Sequence, residues 1–335
     1  MNISQKSYTP KYLNKPALII AIMTLTLVIA VVIAISFGSY NINIFSHSLS
    51  PSDKKIIALI RLPRVLSAVF AGSALAVSGA VIQAVLNNNM ASPSIIGVNS
   101  GAGLFAIILI AVFPKSYSLL PIASFAGAML ACLVIYFIAL TTGADKVTIT
   151  LVGIAIGSIL SAGISTIKTI FPDCQYDSNI FTIGSLSGIT YSRLFPAAYI
   201  IIITLIITLF TSRYIDAICL GDSIAKSIGI NINLTRFIFL ILACTLAGCA
   251  VSFAGLIGFV GLIVPHIARK LVGAKHALLL PASALGGAIL VTVCDTLARV
   301  IFAPYEIPVG IVLSFIGGPF FIFLIFIQRK HKRHD

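Results

Sequence analysis

Runs of about 20 apolar residues, separated by short polar segments, dominate this sequence of 335 residues. A helix needs about 20 residues to cross the hydrocarbon core of a bilayer, because each residue advances only about 1.5 Å. Ten such runs occur, at roughly 17–37, 65–86, 95–113, 119–140, 150–170, 194–212, 236–254, 257–272, 277–298 and 309–327. The sequence therefore predicts an all-α, polytopic membrane protein with about ten transmembrane helices.

The composition agrees with a chain whose main solvent is lipid. Hydrophobic residues make up 59% of the sequence and charged residues only 9%, and the mean hydropathy is +1.11. The formal net charge of +13 could suit nucleic acid, but the basic residues cluster at the two ends and in short loops without interleaved aromatics. We therefore expect contact with anionic membrane lipid and no nucleic-acid partner.

The sequence offers little for catalysis or for a cofactor. The six cysteines include no CxxC pair, no histidines stand at metal-ligand spacing, and no GxxxxGK[ST] phosphate loop occurs. We expect no metal, no cofactor and no enzymatic activity in this chain. The first apolar run is too long for a signal peptide and lacks a cleavage site, so we interpret it as a retained helix.

The distribution of basic residues predicts the orientation. Ten crossings put both termini on one side, and placing them in the cytoplasm puts most lysines and arginines there. A single membrane domain at 17–327 is then flanked by cytoplasmic tails at 1–16 and 328–335. Of the 22 lysines and arginines, 14 then lie inside and eight outside, and three of those eight are Arg61, Arg64 and Arg299.

Small residues and helix breakers indicate tight packing and a pathway. Gly72, Ala76 and Ala80 recur at four-residue spacing, which in lipid marks faces where helices approach closely. Pro and Gly interrupt the last apolar run at 307–310 and 317–319. Irregular backbone at membrane depth persists only where protein or a water-filled cavity covers it, so these breaks point to a transport pathway.

The outer arginines allow two interpretations from the residues alone. They could extend to lipid phosphates at the interface, or their planar forks could hold the carboxylates of a partner protein. Asp295 precedes Arg299 by four residues, so the two face the same way on a helix and are expected to form a structural ion pair. A proton relay is the alternative for Asp295, but no other acid falls inside a predicted span. His266 is expected to be a packing residue.

A short amphipathic helix is predicted within the connection at about 213–235. Its apolar positions Leu220, Ile224 and Ile228 recur every four residues, and Gly229 supplies a stop. Such a helix could lie on lipid or bind a partner.

Several strings resemble, in order, the FecCD-type permeases, which are the membrane subunits of ABC importers for iron-siderophores, haem and cobalamin. The resemblance is carried by RLPR (61–64), GSALAVSGAVIQAVLNNNMASPSIIGVNSGAG (72–103), LGDSIAKSIGI (220–230), GLIGFVGLIVPHIARKLVG (255–273), DTLAR (295–299) and PVGIVLSFIGGPFFIFLI (308–325). Two departures are visible: Ser92 stands where this family usually has an acid, and Lys275 stands where it tends to have Asp before His276.

This resemblance implies a type II ABC importer permease in the bacterial cytoplasmic (inner) membrane. Arg61, Arg64 and Arg299 would be exposed to a soluble or lipid-anchored substrate-binding protein and would receive its acidic residues. Two partner ATP-binding subunits would supply the energy. The connection at about 213–235 would be the coupling segment that contacts them, through four motif positions: Gly221, Asp222, Ala225 and Gly229.

The resemblance also implies a pathway and a cargo. A second copy, or a homologous permease, would complete the channel, which the fifth and tenth helices would line. The turn before the fifth helix, with Lys146, Val147 and Thr148, would narrow its inner end. An iron-siderophore is the expected cargo, ahead of haem or cobalamin.

An ion-coupled secondary transporter is the main alternative. Such proteins usually carry midplane acids on discontinuous helices and an inverted repeat, and the sequence shows neither. A membrane-embedded enzyme would need convergent nucleophiles, acids or metal ligands, and none converge here.

Overall fold

The computed structural model describes residues 16–38, 50–94, 97–114, 116–141 and 146–331, and this part of the chain is helical without a strand. The predicted tail at 1–16 lies outside the described residues apart from Pro16, and the C-terminal tail is described only as helical backbone to His331. The ten long helices are α1 (Pro16–Ser36), α2 (Leu62–Val85), α3 (Val98–Val112), α4 (Leu120–Thr141), α5 (Lys146–Ile170), α6 (Tyr191–Phe210), α7 (Ile232–Ala254), α8 (Val260–Val272), α9 (His276–Val300) and α10 (Val309–His331).

The predicted fold class is confirmed. Each predicted apolar run coincides with one of the ten helices. Seven helical segments are long and apolar enough to cross a membrane by themselves, and α3 and the Val309–Phe323 part of α10 are shorter apolar helices. The remaining helix, α8, has only 13 residues. The described cysteines are all free, and each is buried except Cys219.

Several helices begin earlier than predicted, and two of these early starts concern candidate functional residues. A helix at Pro51–Ile56 continues through a π-helical turn at Ile57–Arg61 into α2. The RLPR motif therefore lies inside a continuous helical segment and not at its start. Pro63 has no N–H group, so it cannot donate the backbone hydrogen bond to residue i−4 of a regular α-helix. The wider π-helical turn before it accommodates the missing bond. The start of α5 at Lys146 places Val147 and Thr148 in its first helical turn, because no Gly or Pro interrupts these residues.

Helix α2 is the centre of the bundle and packs against α7, α8 and α9. Gly72 lies against Gly287 of α9, and Gly79 lies against Gly261 of α8. A Cβ atom at either α2 glycine would overlap the carbonyl oxygen of its partner. The small residues predicted to mark a packed face therefore do so, and in the centre of the fold.

The bundle has two distinct ends. Helix α2 runs from Leu62 to Val85, and its 24 residues span about 36 Å at about 1.5 Å per residue. We call the end that holds Arg61, Arg64 and Arg299 the arginine end. At the opposite end, two short helices at Ser212–Cys219 and Asp222–Ser227 connect α6 to α7, and we call them the two-helix segment.

Candidate functional sites at the two ends of the bundle

The three arginines at the arginine end are buried, not exposed as the sequence analysis expected. Arg61 is 5% exposed, Arg64 6% and Arg299 3%. They come from the π-helical turn, the first turn of α2 and the last turn of α9. A guanidinium in such a place must find acceptors within the protein.

Arg64 divides its guanidinium between two acids. Its Nε donates to both carboxylate oxygens of Asp295, at 3.0 and 3.1 Å. Its Nη1 donates to Oε2 of Glu306 at 2.6 Å. Glu306 lies in the loop between α9 and α10. Its contact with Arg64 was not predicted, because 242 positions separate the two residues and no spacing pattern relates them.

Arg299 and Arg61 close the C-terminal end of α1. Arg299 Nε lies 3.2 Å from Asp295 Oδ2, across the expected four-residue spacing, and its Nη2 donates to the carbonyl of Ala34 at 3.0 Å. Arg61 Nη1 donates to the carbonyl of Ser36 at 2.8 Å. The last carbonyls of a helix have no partner within it and carry partial negative charge, so cations suit them. Both arginines therefore point into the protein and not toward lipid.

The two-helix segment holds the four predicted coupling residues. Gly221 precedes the helix Asp222–Ser227 with φ +106°, and Gly229 follows it with φ +82°, values that residues with a side chain rarely adopt. Ala225 is fully buried, and Asp222 Oδ1 accepts from Arg236 Nη2 at 2.8 Å.

The same segment presents an apolar surface. Leu220, Ile224 and Ile228 are 62%, 50% and 58% exposed. These are the residues whose spacing predicted an amphipathic helix. Their outward orientation means that the apolar face covers nothing within the described chain and is available to lipid or to a partner.

Partly buried polar contacts lie where the two-helix segment meets the bundle. Asp216 Oδ1 accepts from the backbone N–H of His276, at 3.0 Å, and lies 2.6 Å from Nδ1 of its ring. Lys275 is the N-cap residue of α9 and makes no side-chain capping bond, so Asp216 supplies that function from a distant position. Nearby, Arg269 Nη1 donates to Gln83 Oε1 at 2.6 Å. The Asp216–His276 contact attaches the segment to α9, and the segment also packs against α2. The Arg269–Gln83 bond joins α8 to α2 near this point.

A cavity of about 570 Å³ opens between α10, the turn after α7 and a short helix at Gln175–Ile183. Its lining residues are Thr182, Ile183, Leu256, Gly258, Gly310, Ile311, Ser314, Phe315 and Pro319. Gly310 and Pro319, which belong to the two predicted breaks, border this cavity. The predicted break at 317–319 is wrong, because α10 continues as a helix through Pro319. Beside it, Lys168 of α5 donates from Nζ to Asn179 Oδ1 at 3.0 Å.

Two further expectations concern single residues. His266 packs edge-on against Phe320 of α10, with ring centroids 6.5 Å apart. Thr148 is half-buried near the start of α5, and the Val147 side chain lies outside the described residues. Within the described ranges, no group of three or more His, Cys, Asp or Glu side chains is placed to hold a metal ion.

Comparisons with known proteins find similar membrane permeases, and each match covers nearly the whole chain. The model of the FecCD transport family matches residues 25–327. The Fe(3+)-citrate import system permease protein YfmE of Bacillus subtilis is 38% identical over 97% of this chain and 99% of its own. The hemin transport system permease protein HmuU of Yersinia pestis is 36% identical over 95% of this chain and 98% of its own. A solved structure of a metal-chelate type ABC transporter, in an inward-facing conformation, superposes with a TM-score of 0.85. The two sequences are 29% identical, and the superposition covers 92% of this chain and 99% of the other.

Proposed function

Since the chain belongs to the FecCD transport family, we propose that it is the membrane-spanning permease of an ABC importer for a ferric chelate. Its relatives are named for ferric citrate, ferric hydroxamate and hemin. An iron-siderophore or ferric citrate complex is the cargo that this range favours, with haem next. A separate ATPase supplies the energy, in the cytoplasmic membrane of a bacterium.

The exposed apolar face of the two-helix segment carries the proposal. It lies at the end of α2 opposite the arginines, is attached to α9 through Asp216 and packs against α2. A movement of this segment would therefore reach α2 and α9 directly, and α8 through the bond between Arg269 and Gln83 of α2. We assign the face to the ATP-binding subunit, with Gly221, Asp222, Ala225 and Gly229 shaping the helix that fits its cleft.

The arginine end is assigned to the substrate-binding protein. Arg61, Arg64 and Arg299 outnumber the acids Asp295 and Glu306 there, so the cluster keeps one net positive charge. An acidic surface would be attracted to it, and arginine can hold a carboxylate through two parallel hydrogen bonds. This assignment places the arginine end outside and both termini in the cytoplasm, which agrees with the distribution of basic residues.

A second permease copy, identical or homologous, would close the cavity into a pathway. Helix α5 supports this arrangement, since its apolar window is only 11% buried within the chain. Its exposed side includes hydroxyl groups, which suit a polar pathway or a partner better than lipid: Ser158, Ser161, Ser165, Thr166 and Thr169. Val147 and Thr148, in the first turn of α5, would narrow the cytoplasmic end.

Transport then follows alternating access. The loaded binding protein docks on the arginine end and releases its cargo between the two permeases. ATP binding changes the fit of the ATPase to the two-helix segment and tilts the helices attached to it. Only such a difference in fit between two states can shift the conformational equilibrium.

Reconstitution tests the function directly. The permease, with the ATPase and binding protein encoded beside it, is placed in proteoliposomes and supplied with radioactive ferric citrate or a ferric siderophore outside. We expect uptake only with ATP inside and with the binding protein present. Uptake driven by a proton or sodium gradient without ATP would instead establish the ion-coupled transporter.

The coupling assignment makes a separate prediction. Ile224→Ser removes a half-exposed aliphatic side chain from the two-helix segment and should weaken binding of the purified ATPase about tenfold, the effect of losing one interface anchor. Leu59→Ser is the matched control, because Leu59 is comparably exposed at the arginine end. Equal ATPase affinity in the two variants would reassign the apolar face to lipid.

A further inference from the structure

Glu306 is the accessible member of the buried charge cluster. Its carboxylate accepts from Arg64 Nη1 at 2.6 Å, and its side chain is 32% exposed, against 1% for Asp295. It lies in the loop between α9 and α10, beside the exposed Tyr305. Of the two acids that hold Arg64, only Glu306 can leave without a rearrangement of the bundle.

The proposed docking requires a place for an incoming carboxylate. Arg61 and Arg299 are directed to the carbonyls of α1, and Arg64 Nε is held by Asp295. Asp295 is bound to Arg64 Nε, and the more accessible Glu306 covers the Nη1 edge, so we expect an acid from outside to approach the guanidinium at this edge. A docking carboxylate and Glu306 therefore compete for the same guanidinium edge.

We propose that Glu306 is an intramolecular latch: it occupies the carboxylate position of Arg64 in the free permease and is exchanged for an acidic side chain of the binding protein on docking. This inference rests on the proposed docking function. Exchange, unlike simple release, keeps the charge of the nearly buried Arg64 compensated throughout. The latch also gives selectivity, since a partner without a suitably placed acid cannot displace it.

The position of Glu306 connects the latch to the pathway. Its neighbour Ile307 donates its N–H to the carbonyl of Ala298 at 3.1 Å, and α10 begins at Val309. The next residue, Gly310, donates to the carbonyl of Gly184 at 3.1 Å and lines the cavity. The residue exchanged at Arg64 is therefore only four positions before the first cavity-lining residue of α10.

The test compares Glu306→Gln with Asp173→Asn in the complete transporter in nanodiscs. Asp173 is an exposed acid in the turn after α5, so the control removes the same charge from the same end without touching Arg64. The probe is the purified substrate-binding protein encoded beside the permease. If the latch is closed in about nine of ten free molecules, its loss should tighten binding about tenfold. Asp173→Asn should leave the Kd within about twofold of wild type.

A second variant covers the case in which Glu306→Gln folds poorly. Glu306→Asp keeps the charge but shortens the reach to Arg64, so it should also tighten binding. Wild-type or weaker affinity in a folded Glu306 variant would overturn the latch.

Arg64→Lys separates this result from failure of the docking itself. The lysine keeps a cation beside Asp295 but lacks the planar guanidinium that can hold a carboxylate through two hydrogen bonds. We expect it to weaken binding of the substrate-binding protein at least tenfold. If Arg64→Lys binds normally, the docking proposal fails. If Arg64→Lys binds weakly and the Glu306 variants bind as wild type does, only the latch fails.

Discussion

Replacing Asp295 with alanine is expected to cost about 3–5 kcal/mol of folding free energy, the usual penalty for leaving a buried charge without its partner. Asp295 lies between two buried guanidiniums, 3.0 Å from Arg64 Nε and 3.2 Å from Arg299 Nε. Without it, two nearly buried like charges would face each other, and Glu306, which among the described residues is paired only with Arg64, would be the remaining acid of the cluster. The measurements are the amount of folded protein in the membrane and the midpoint of thermal unfolding after purification in detergent.

The control for this prediction is Asp173→Asn, which removes an exposed acid and should leave the midpoint unchanged within the error of the measurement. An Asp295→Ala variant as stable as this control would show that the cluster does not support the fold. Asp295→Asn adds a mechanistic distinction. A structural ion pair predicts that the amide also lowers stability, whereas a proton relay predicts a stable protein that no longer transports.

The fold was predictable because a helix that spans a membrane needs a continuous run of apolar residues, which is visible in the sequence. Apolar runs of about 20 residues located all ten long helices, since lipid requires a continuous apolar surface and internally paired backbone groups. The helix ends were less predictable. Helices continue beyond the hydrocarbon wherever no Pro or Gly stops them, as at Lys146, and a π-helical turn carried the second helix past Pro63.

The candidate sites were predictable in part, according to how local their signals are. Asp295 and Arg299 share one helix face, so sequence spacing alone suggests their contact. Arg64 contacts Asp295 across 231 positions and Glu306 across 242, and no periodicity can report such pairs. The burial of all three arginines follows from these distant contacts and from the carbonyls at the end of α1. Sequence could therefore identify the arginines as unusual, but not their surroundings.

Gly79→Ala is expected to destabilise the permease by about 3 kcal/mol, at the upper end of the range for overpacking, even though it adds one carbon atom. The added Cβ would overlap the carbonyl and Cα of Gly261, and backbone cannot turn aside as a flexible side chain can. Alanine also favours a helix over glycine by about 1 kcal/mol, so any loss of stability must come from the contact between α2 and α8. Thermal unfolding and the recovered fraction of monodisperse protein measure it.

Gly318→Ala provides the matched comparison for this last prediction, because it makes the same change within a helix where the new Cβ has no heavy atom within 4 Å. We expect Gly318→Ala to be neutral or slightly stabilising, and Gly79→Ala to lose most of its folded yield. Similar stability of the two variants would mean that α2 and α8 can separate without consequence. In that case the contact between α2 and α8 could not transmit a movement of the two-helix segment from α2 to α8.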